Sequence, residues 1–364
     1  MGGSGMKQFF MVGTYSEPIL SGGGEVFAGR GEGLYLCALE EDEVSVVSRL
    51  RLCNPSFLAI SEGKRHIYVV NEAREFYGRY GGGLTDIVYD EKGNMRVNGS
   101  FPTHGGDPCH VAVSPDGKYL GVANYADGMV TVFRLDEEGN VLPEPAVFAH
   151  SGSGPNPVRQ DGPHAHSIVF AGDGLMYAVD LGIDRLKAYR VAQDGVTPCE
   201  GRTVTMPSGS GPRTGEWSKD GRHFYLINEL GNSITHMRCE DGVLRAVSVT
   251  STLPPDAERE NTAADVHLTP DGRHLYASNR GHDSIAVYAV DENGGLHSEG
   301  WVSCGGKTPR NFAVDPTGKL LLVANQDSDS IQVLRILEDG RLLPKRKCDF
   351  PTPVCIRFFM QTAF

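Results

Sequence analysis

Arg213 opens and Glu229 closes the stretch PRTGEWSKDGRHFYLINE (212–229). Two apolar runs flank a Lys-Asp-Gly turn, so a hairpin returns both charges to one rim. Alone, such a pair reads equally well as a salt bridge tying two strands. In company it is chemistry. Guanidinium forks suit carboxylate or phosphate and stabilise a developing oxyanion, while carboxylates and imidazoles move protons. The company exists. PSFLAISEGKRHIYVVNE (55–72), PCHVAVSPDGKYLGVANY (108–125), HAHSIVFAGDGLMYAVDL (164–181), AADVHLTPDGRHLYASNR (263–280) and PRNFAVDPTGKLLLVANQ (309–326) have the same form. Aligned on their turns, the first strands start with Ser56, Cys109, His166, Arg213, Ala264, Arg310 and, near the C-terminus, Val354. The second strands end with Glu72, Tyr125, Leu181, Glu229, Arg280, Gln326 and, near the N-terminus, Thr14. One rim is therefore expected to collect three guanidiniums, an imidazole and two carboxylates.

His166, Glu229, Arg213 and Arg280 are the candidate catalytic residues. Either His166 or Glu229 would serve as general base. Arg310, Tyr125, Gln326, His164 and Glu72 are candidate substrate contacts, with Arg74 or Arg79 as further candidate guanidiniums. Glu72 mirrors Glu229 from another hairpin and has a purely structural alternative. His164 and His110 flank the strand starts and are expected as hydrogen-bonded wall residues. Asp180 and Asp265 are expected as hydrogen-bond acceptors that steady the strands.

The elements that would position these side chains form a repeat. The turns recur near residues 63, 116, 173, 220, 271 and 317, 46 to 57 residues apart. A third alternating run follows most units (GMVTVFRL, DRLKAYRV, DSIAVYAV, DSIQVLRI), and then a more variable fourth. Repeats of about 40–50 residues with four strands each are propeller blades. Six units are complete. PTPVCIRFF (351–359) supplies only a first strand, and KQFFMVGTY (7–15) supplies the missing second one. Pairing them closes the ring and leaves no open sheet edge. The expectation is an all-β, seven-bladed β-propeller, one domain over residues 6–364. Segments 73–106 and 147–162 read as loop-like insertions, the former as a possible lid. MGGSG (1–5) reads as an expression scar ahead of Met6.

Composition narrows the function. Net charge is −12 with no Lys/Arg block, so neither nucleic acid nor a membrane surface is an expected partner. No apolar run reaches the roughly 18 residues of a membrane span, and the start lacks a signal-peptide pattern. The eight cysteines are scattered without CxxC spacing and read as reduced thiols of a cytoplasmic protein. His164-Ala165-His166 lacks a third ligand at metal spacing, so no metal or other cofactor is expected. No G-x-S-x-G elbow or P-loop occurs, and the glycine runs at 22–24 and 81–83 read as loops. The oligomeric state is not written in the sequence.

GPHAHSIVF, DLGIDRLKAY, GPRTGEW, INELGNSI, ADVHLTPDGRHLYASNRGHDSIAVY and TPRNFAVDPTGKLLLVANQDSDSI resemble the bacterial propeller-type 6-phosphogluconolactonase family. That family is in turn similar to the fungal 3-carboxy-cis,cis-muconate lactonizing enzyme. The resemblance runs from Val12 to Phe358. It implies a seven-bladed propeller that opens or closes a lactone without a metal. It also implies that a His, two Arg and a Glu at the channel mouth act together, falling here on His166, Arg213, Glu229 and Arg280. Thr214 departs from the family pattern, which has His after G-P-R. The resemblance implies hydrolysis of a small anionic sugar lactone, 6-phospho-D-glucono-1,5-lactone, in the pentose phosphate pathway. Arg213 and Arg280 would hold the carbonyl oxygen, and Arg310 or an insertion arginine the phosphate. A muconate-type lactonizing cycloisomerase and a non-catalytic binding scaffold are the alternatives.

Overall fold

The recurring turn builds itself from its own side chains. Asp116 accepts from the Ser114 hydroxyl at 2.6 Å, and Ser114 Oγ accepts from the Tyr119 amide at 2.9 Å. Gly117 completes the turn at φ +67°, a region closed to most side chains. Thr269, Asp271 and Gly272 repeat the arrangement in a later unit. These local bonds set hairpin register before any long-range contact forms.

The computed structural model describes residues 7–20, 22–172, 174–240, 242–257 and 260–360. The expected scar, Met6 and turn residue 173 lie outside that set. Each hairpin grows outward into a sheet of four principal antiparallel strands, and seven such sheets form the ring. The first blade runs Pro55–Ser61, His66–Asn71, Gly83–Tyr89, Met95–Pro102 from the axis outward. Blades starting at Pro108, Ala165, Pro212, Thr262 and Pro309 follow in chain order. The closing blade takes Pro353–Phe358 as its innermost strand and Gln8–Thr14 as its second. Phe10 pairs with Phe358 and Val12 with Ile356, as the split repeat predicts. The innermost strands neighbour one another all the way round, from Pro55–Ser61 back to Pro353–Phe358.

Apolar faces of adjacent blades pack together. Tyr177, Val179 and Leu186 of one blade meet Phe224, Leu226 and Met237 of the next. Each large side chain so buried contributes about 1.5–3 kcal/mol. Tyrosines of the second strands reach across the seams. The Tyr68, Tyr225 and Tyr276 hydroxyls donate to the carbonyls of Gly139, Gly294 and Gly340 in the following blade, at 2.6, 3.0 and 2.8 Å.

Segment 73–106 is not a loop-like insertion. It holds the two outer strands of the first blade and a short hairpin, Glu75–Phe76 with Arg79–Tyr80. The glycines at 81–83 interrupt its alternating pattern, which hid the strand that begins at Gly83. Segment 147–162 likewise begins inside a fourth strand, Ala146–Ala149, before becoming a loop.

Candidate active site

Two backbone devices deliver side chains to the mouth. The first is a β-bulge at the start of each innermost strand. Pairing skips from Pro55 to Phe57, Pro108 to His110, Ala165 to Ser167, Pro212 to Thr214 and Pro309 to Asn311. The skipped residues are Ser56, Cys109, His166, Arg213 and Arg310. Ala264 and Val354 are skipped in the other two blades. A bulge re-aims the residue that it leaves unpaired, and one ring of the sequence alignment consists of these bulge residues.

The second device is a buried clamp at the end of each second strand. Asn71, Asn124, Asp180, Asn228, Asn279 and Asn325 are at most 2% exposed. Their side chains bind nearby backbone or side chains; Asn71 donates to the Cys53 carbonyl and Asn325 to the Cys304 carbonyl, both at 2.9 Å. In five blades the next residue is released into the mouth: Glu72, Tyr125, Glu229, Arg280 or Gln326; Leu181 is wholly buried and does not line it. In the closing blade the clamp is Thr14, wholly buried with its hydroxyl on the Gly33 carbonyl at 2.7 Å. The mouth residue there is therefore Tyr15, one position beyond the expected Thr14. Thr14 stands in for the clamp asparagine, which displaced the alignment by one.

A cavity of about 340 Å³ occupies this mouth. Glu72, Tyr125, His166, Glu229, Arg280, Arg310 and Gln326 line it, with Cys109 and Asp107. Arg213 and His164 do not. Arg213 lies one layer deeper and lines a small void in the channel with Ser56, His110 and Asp265. It is 6% exposed, sits with Nε 2.9 Å from Glu229 Oε2, and donates to the Ala264 carbonyl. His164 backs the wall: its ring stacks on Tyr125, with Nδ1 on the Tyr125 carbonyl at 2.7 Å. Arg74 and Arg79 also stay outside the cavity, and Arg74 pairs with Asp107 at 2.7 Å. Asp180 accepts amide bonds from His164 and Gly182, and Asp265 accepts from Asn311 and His267.

Two parts of the cavity have no counterpart in the sequence alignment. Loop 150–162 brings in Arg159, whose Nη2 lies 2.5 Å from Glu229 Oε1 and 3.1 Å from the Tyr125 hydroxyl. Asn156 caps the amides of Val158 and Arg159, and buried Gln160 anchors the loop on the Leu181 carbonyl. The hairpin Pro18–Leu20 with Val26–Ala28 forms an apolar cover through Ile19, Leu20 and Phe27. A side chain at Gly22 in its tip would meet Tyr125 and Arg159 within 3.0 Å. An insertion at 147–162 was visible in the sequence; that its arginine turns inward was not.

Charge in the cavity is unevenly shared. Glu229 is 2% exposed and meets three guanidiniums, with Arg280 Nη2 at 2.8 Å as the third. Burial opposes its charge. Arg280, Arg159 and Arg213 outweigh burial and hold the carboxyl well below the usual carboxylate range. Burial and the crowding of like charges bring Arg280 down to about 10, so it stays charged at neutral pH. Burial, then Arg213, keeps His166 well below the ordinary histidine value, so its imidazole is neutral. Glu72 is raised instead. Burial dominates, and Arg310 at 3.9 Å offsets it in part. Burial also pushes the Cys109 thiol far up, which makes it a poor nucleophile. Arg310 makes no hydrogen bond among the described residues; it stacks over the Tyr15 ring at 5.3 Å. Among the described residues no three His, Cys, Asp or Glu side chains are grouped to hold a metal ion.

The model of the family described as "Lactonase, 7-bladed beta-propeller" matches residues 9–358. The chain belongs to that family. It is a lactonase, and the charged cavity is its candidate active site. It is 32% identical over 364 residues to the 6-phosphogluconolactonase of Bacillus subtilis, across 98% of this chain and 99% of that one. The 6-phosphogluconolactonase of Formosa agariphila is 32% identical over 300 residues, across 80% and 84% of the two chains. Among solved structures, the periplasmic gluconolactonase of Pseudomonas aeruginosa superposes with a TM-score of 0.89 at 31% identity. It covers 97% of this chain and 99% of that one.

Proposed function

We propose that this lactonase hydrolyses a sugar lactone, 6-phospho-D-glucono-1,5-lactone, to 6-phospho-D-gluconate. The observation that carries this reading is the charge balance of the mouth. Arg159, Arg280 and Arg310 in the cavity, with Arg213 in the layer beneath, face two carboxylates, Glu229 and Glu72, while Asp107 is matched by Arg74. The surplus of two positive charges suits a phosphate dianion. Arg159 and Arg280 offer it guanidinium donors in the cavity, and Arg159 Nε is buried there without a partner. Gln326 Oε1, also buried and unpartnered, is placed to accept from a sugar hydroxyl. Arg310 is free to hold the carbonyl oxygen as charge develops on it.

The names of the relatives point the same way at the level of sugar lactones, and they divide on the phosphate. Eight free thiols favour a reducing, cytoplasmic setting and with it the pentose phosphate pathway. The deciding experiment compares kcat/KM for the 6-phosphorylated and unphosphorylated 1,5-lactones, with spontaneous hydrolysis subtracted. A preference of about a hundredfold or more for the phosphorylated substrate is expected, equivalent to about 2.7 kcal/mol. Equal values would overturn the phosphate assignment.

A further inference from the structure

Two glutamates share this cavity, and both follow a clamp asparagine in the same Asn-Glu context. Their surroundings differ completely. Glu229 has guanidiniums on both oxygens. Glu72 is as well placed, at 6% exposed, but its neighbouring donors are two neutral hydroxyls, those of Ser56 and Tyr15. The Tyr15 hydroxyl bridges its two oxygens at 3.1 and 3.0 Å with a single proton. Arg310 stands at 3.9 Å, outside hydrogen-bond reach. An ionised carboxylate has about four acceptor positions, so Glu72 keeps unused lone pairs inside the cavity. Its backbone is pinned meanwhile: the amide donates to the Asn54 carbonyl at 3.0 Å, and Asn54 Nδ2 donates to the Glu72 carbonyl at 3.1 Å.

We propose that Glu72 is the general base of this lactonase, with Arg310 beside it as the oxyanion holder, and that Glu229 is a permanent anion assembling the guanidiniums. The inference rests on lactone hydrolysis being the reaction, and not on the phosphate. Glu72 takes a proton from water as the water oxygen bonds to the lactone carbonyl carbon. The π pair moves to the carbonyl oxygen, against Arg310. Collapse of the tetrahedral intermediate breaks the bond from that carbon to the ring oxygen. The departing oxygen takes the proton back from Glu72, leaving the hydroxy acid and a regenerated base. No other reactant is needed.

The remaining groups are unsuited to that role. Glu229 is committed to three cations. Asp107 accepts from Arg74 Nε at 2.7 Å. His166 is buried among Arg213, Arg280 and Arg310, which disfavour a protonated ring. The charged or titratable groups facing Glu72 are Tyr15, Arg310, Asp107 and Cys109. Burial is the largest influence on it and places it above an ordinary glutamate, closer to the working pH of a base.

The test is the pH profile of kcat and KM for Glu72→Gln, Glu72→Asp and Tyr15→Phe, on whichever 1,5-lactone the wild type hydrolyses, phosphorylated or not. A wrong substrate then shows in the wild type and a wrong base in the variants. Glu72→Gln is expected to lower kcat by about 10²–10⁴, leave KM within about threefold and abolish the acid limb. Glu72→Asp keeps a reduced rate and the limb. Tyr15→Phe, which removes a donor to the charged form, moves the limb to higher pH. Glu72→Gln with wild-type kcat or an unchanged acid limb would overturn the proposal. A substrate-free check is carboxyl NMR of ¹³C-glutamate-labelled protein. The signal lost in Glu72→Gln must titrate above about 4.3, the ordinary value, and the signal lost in Glu229→Gln below it. The reverse order overturns the proposal even if a variant folds poorly.

Discussion

Replacing Glu229 with glutamine keeps the shape of the side chain and removes its charge. Three guanidiniums then face one another without an anion, two of them previously within 2.9 Å of a single oxygen, Oε2. Removing one partner from a buried ion cluster costs about 3–5 kcal/mol. Unfolding entropy of about 2.1 cal/mol/K per residue over roughly 350 residues converts 4 kcal/mol into a fall in Tm of about 5 °C. The three uncompensated guanidiniums also form an anion site. Inorganic phosphate at a hundred times its Kd should return about 2.7 kcal/mol, or some 3–4 °C, to the variant and less to the wild type. The linkage has a definite sign. Because the folded carboxyl is depressed, its contribution is fully present above the unfolded value of about 4.3 and is lost as pH falls through the folded value. Differential scanning calorimetry of both proteins between about pH 3 and 7, with and without phosphate, reads all three effects. A variant that melts within about 1 °C of the wild type at neutral pH and gains nothing from phosphate would refute the view of Glu229 as a structural anion.

Arg310→Ala should lower kcat by about 10²–10³, the usual loss for one oxyanion donor, and should lower Tm by less than Glu229→Gln does, because among the described residues Arg310 makes no hydrogen bond and stands 3.9 Å from Glu72; stopped-flow pH-indicator assays and a melt check both. Gly22→Ala should push Arg159 and Tyr125 from the cover hairpin and raise KM about tenfold, while the fold survives because both are tips of flexible side chains; an unchanged KM would remove the hairpin from the site. His267, clasped by Glu216 at 2.6 Å and Asp265 at 3.1 Å, is raised to about 9, burial being outweighed by the two carboxylates. Its stabilisation is complete below pH ~6.5 and is lost as pH rises through about 9. Thermal melts across that window should therefore fall by an amount on the order of 3 kcal/mol in the wild type and stay flat in His267→Gln.

What the sequence determined alone is whatever repeats once per blade. Turn chemistry such as Ser114-Asp116-Gly117, alternation along the strands and the split closing repeat are short-range signals, and short-range hydrogen bonds enforce them. They placed His166, Arg310, Glu229, Arg280, Tyr125 and Gln326 at one mouth. Thr14 was misread for Tyr15 because a threonine can replace a clamp asparagine while breaking its pattern. Arg213 belongs to the right ring, yet only packing decides that it sits beneath the cavity. Arg159 and the hairpin at 18–28 enter from irregular loops, whose landing place depends on contacts with distant blades. The two Asn-Glu corners show the limit most clearly. Asn71-Glu72 and Asn228-Glu229 are alike in sequence, yet one carboxyl is raised and the other depressed. Local pattern delivers a carboxylate to the mouth, and its charge state is decided by which guanidiniums the tertiary fold sets around it.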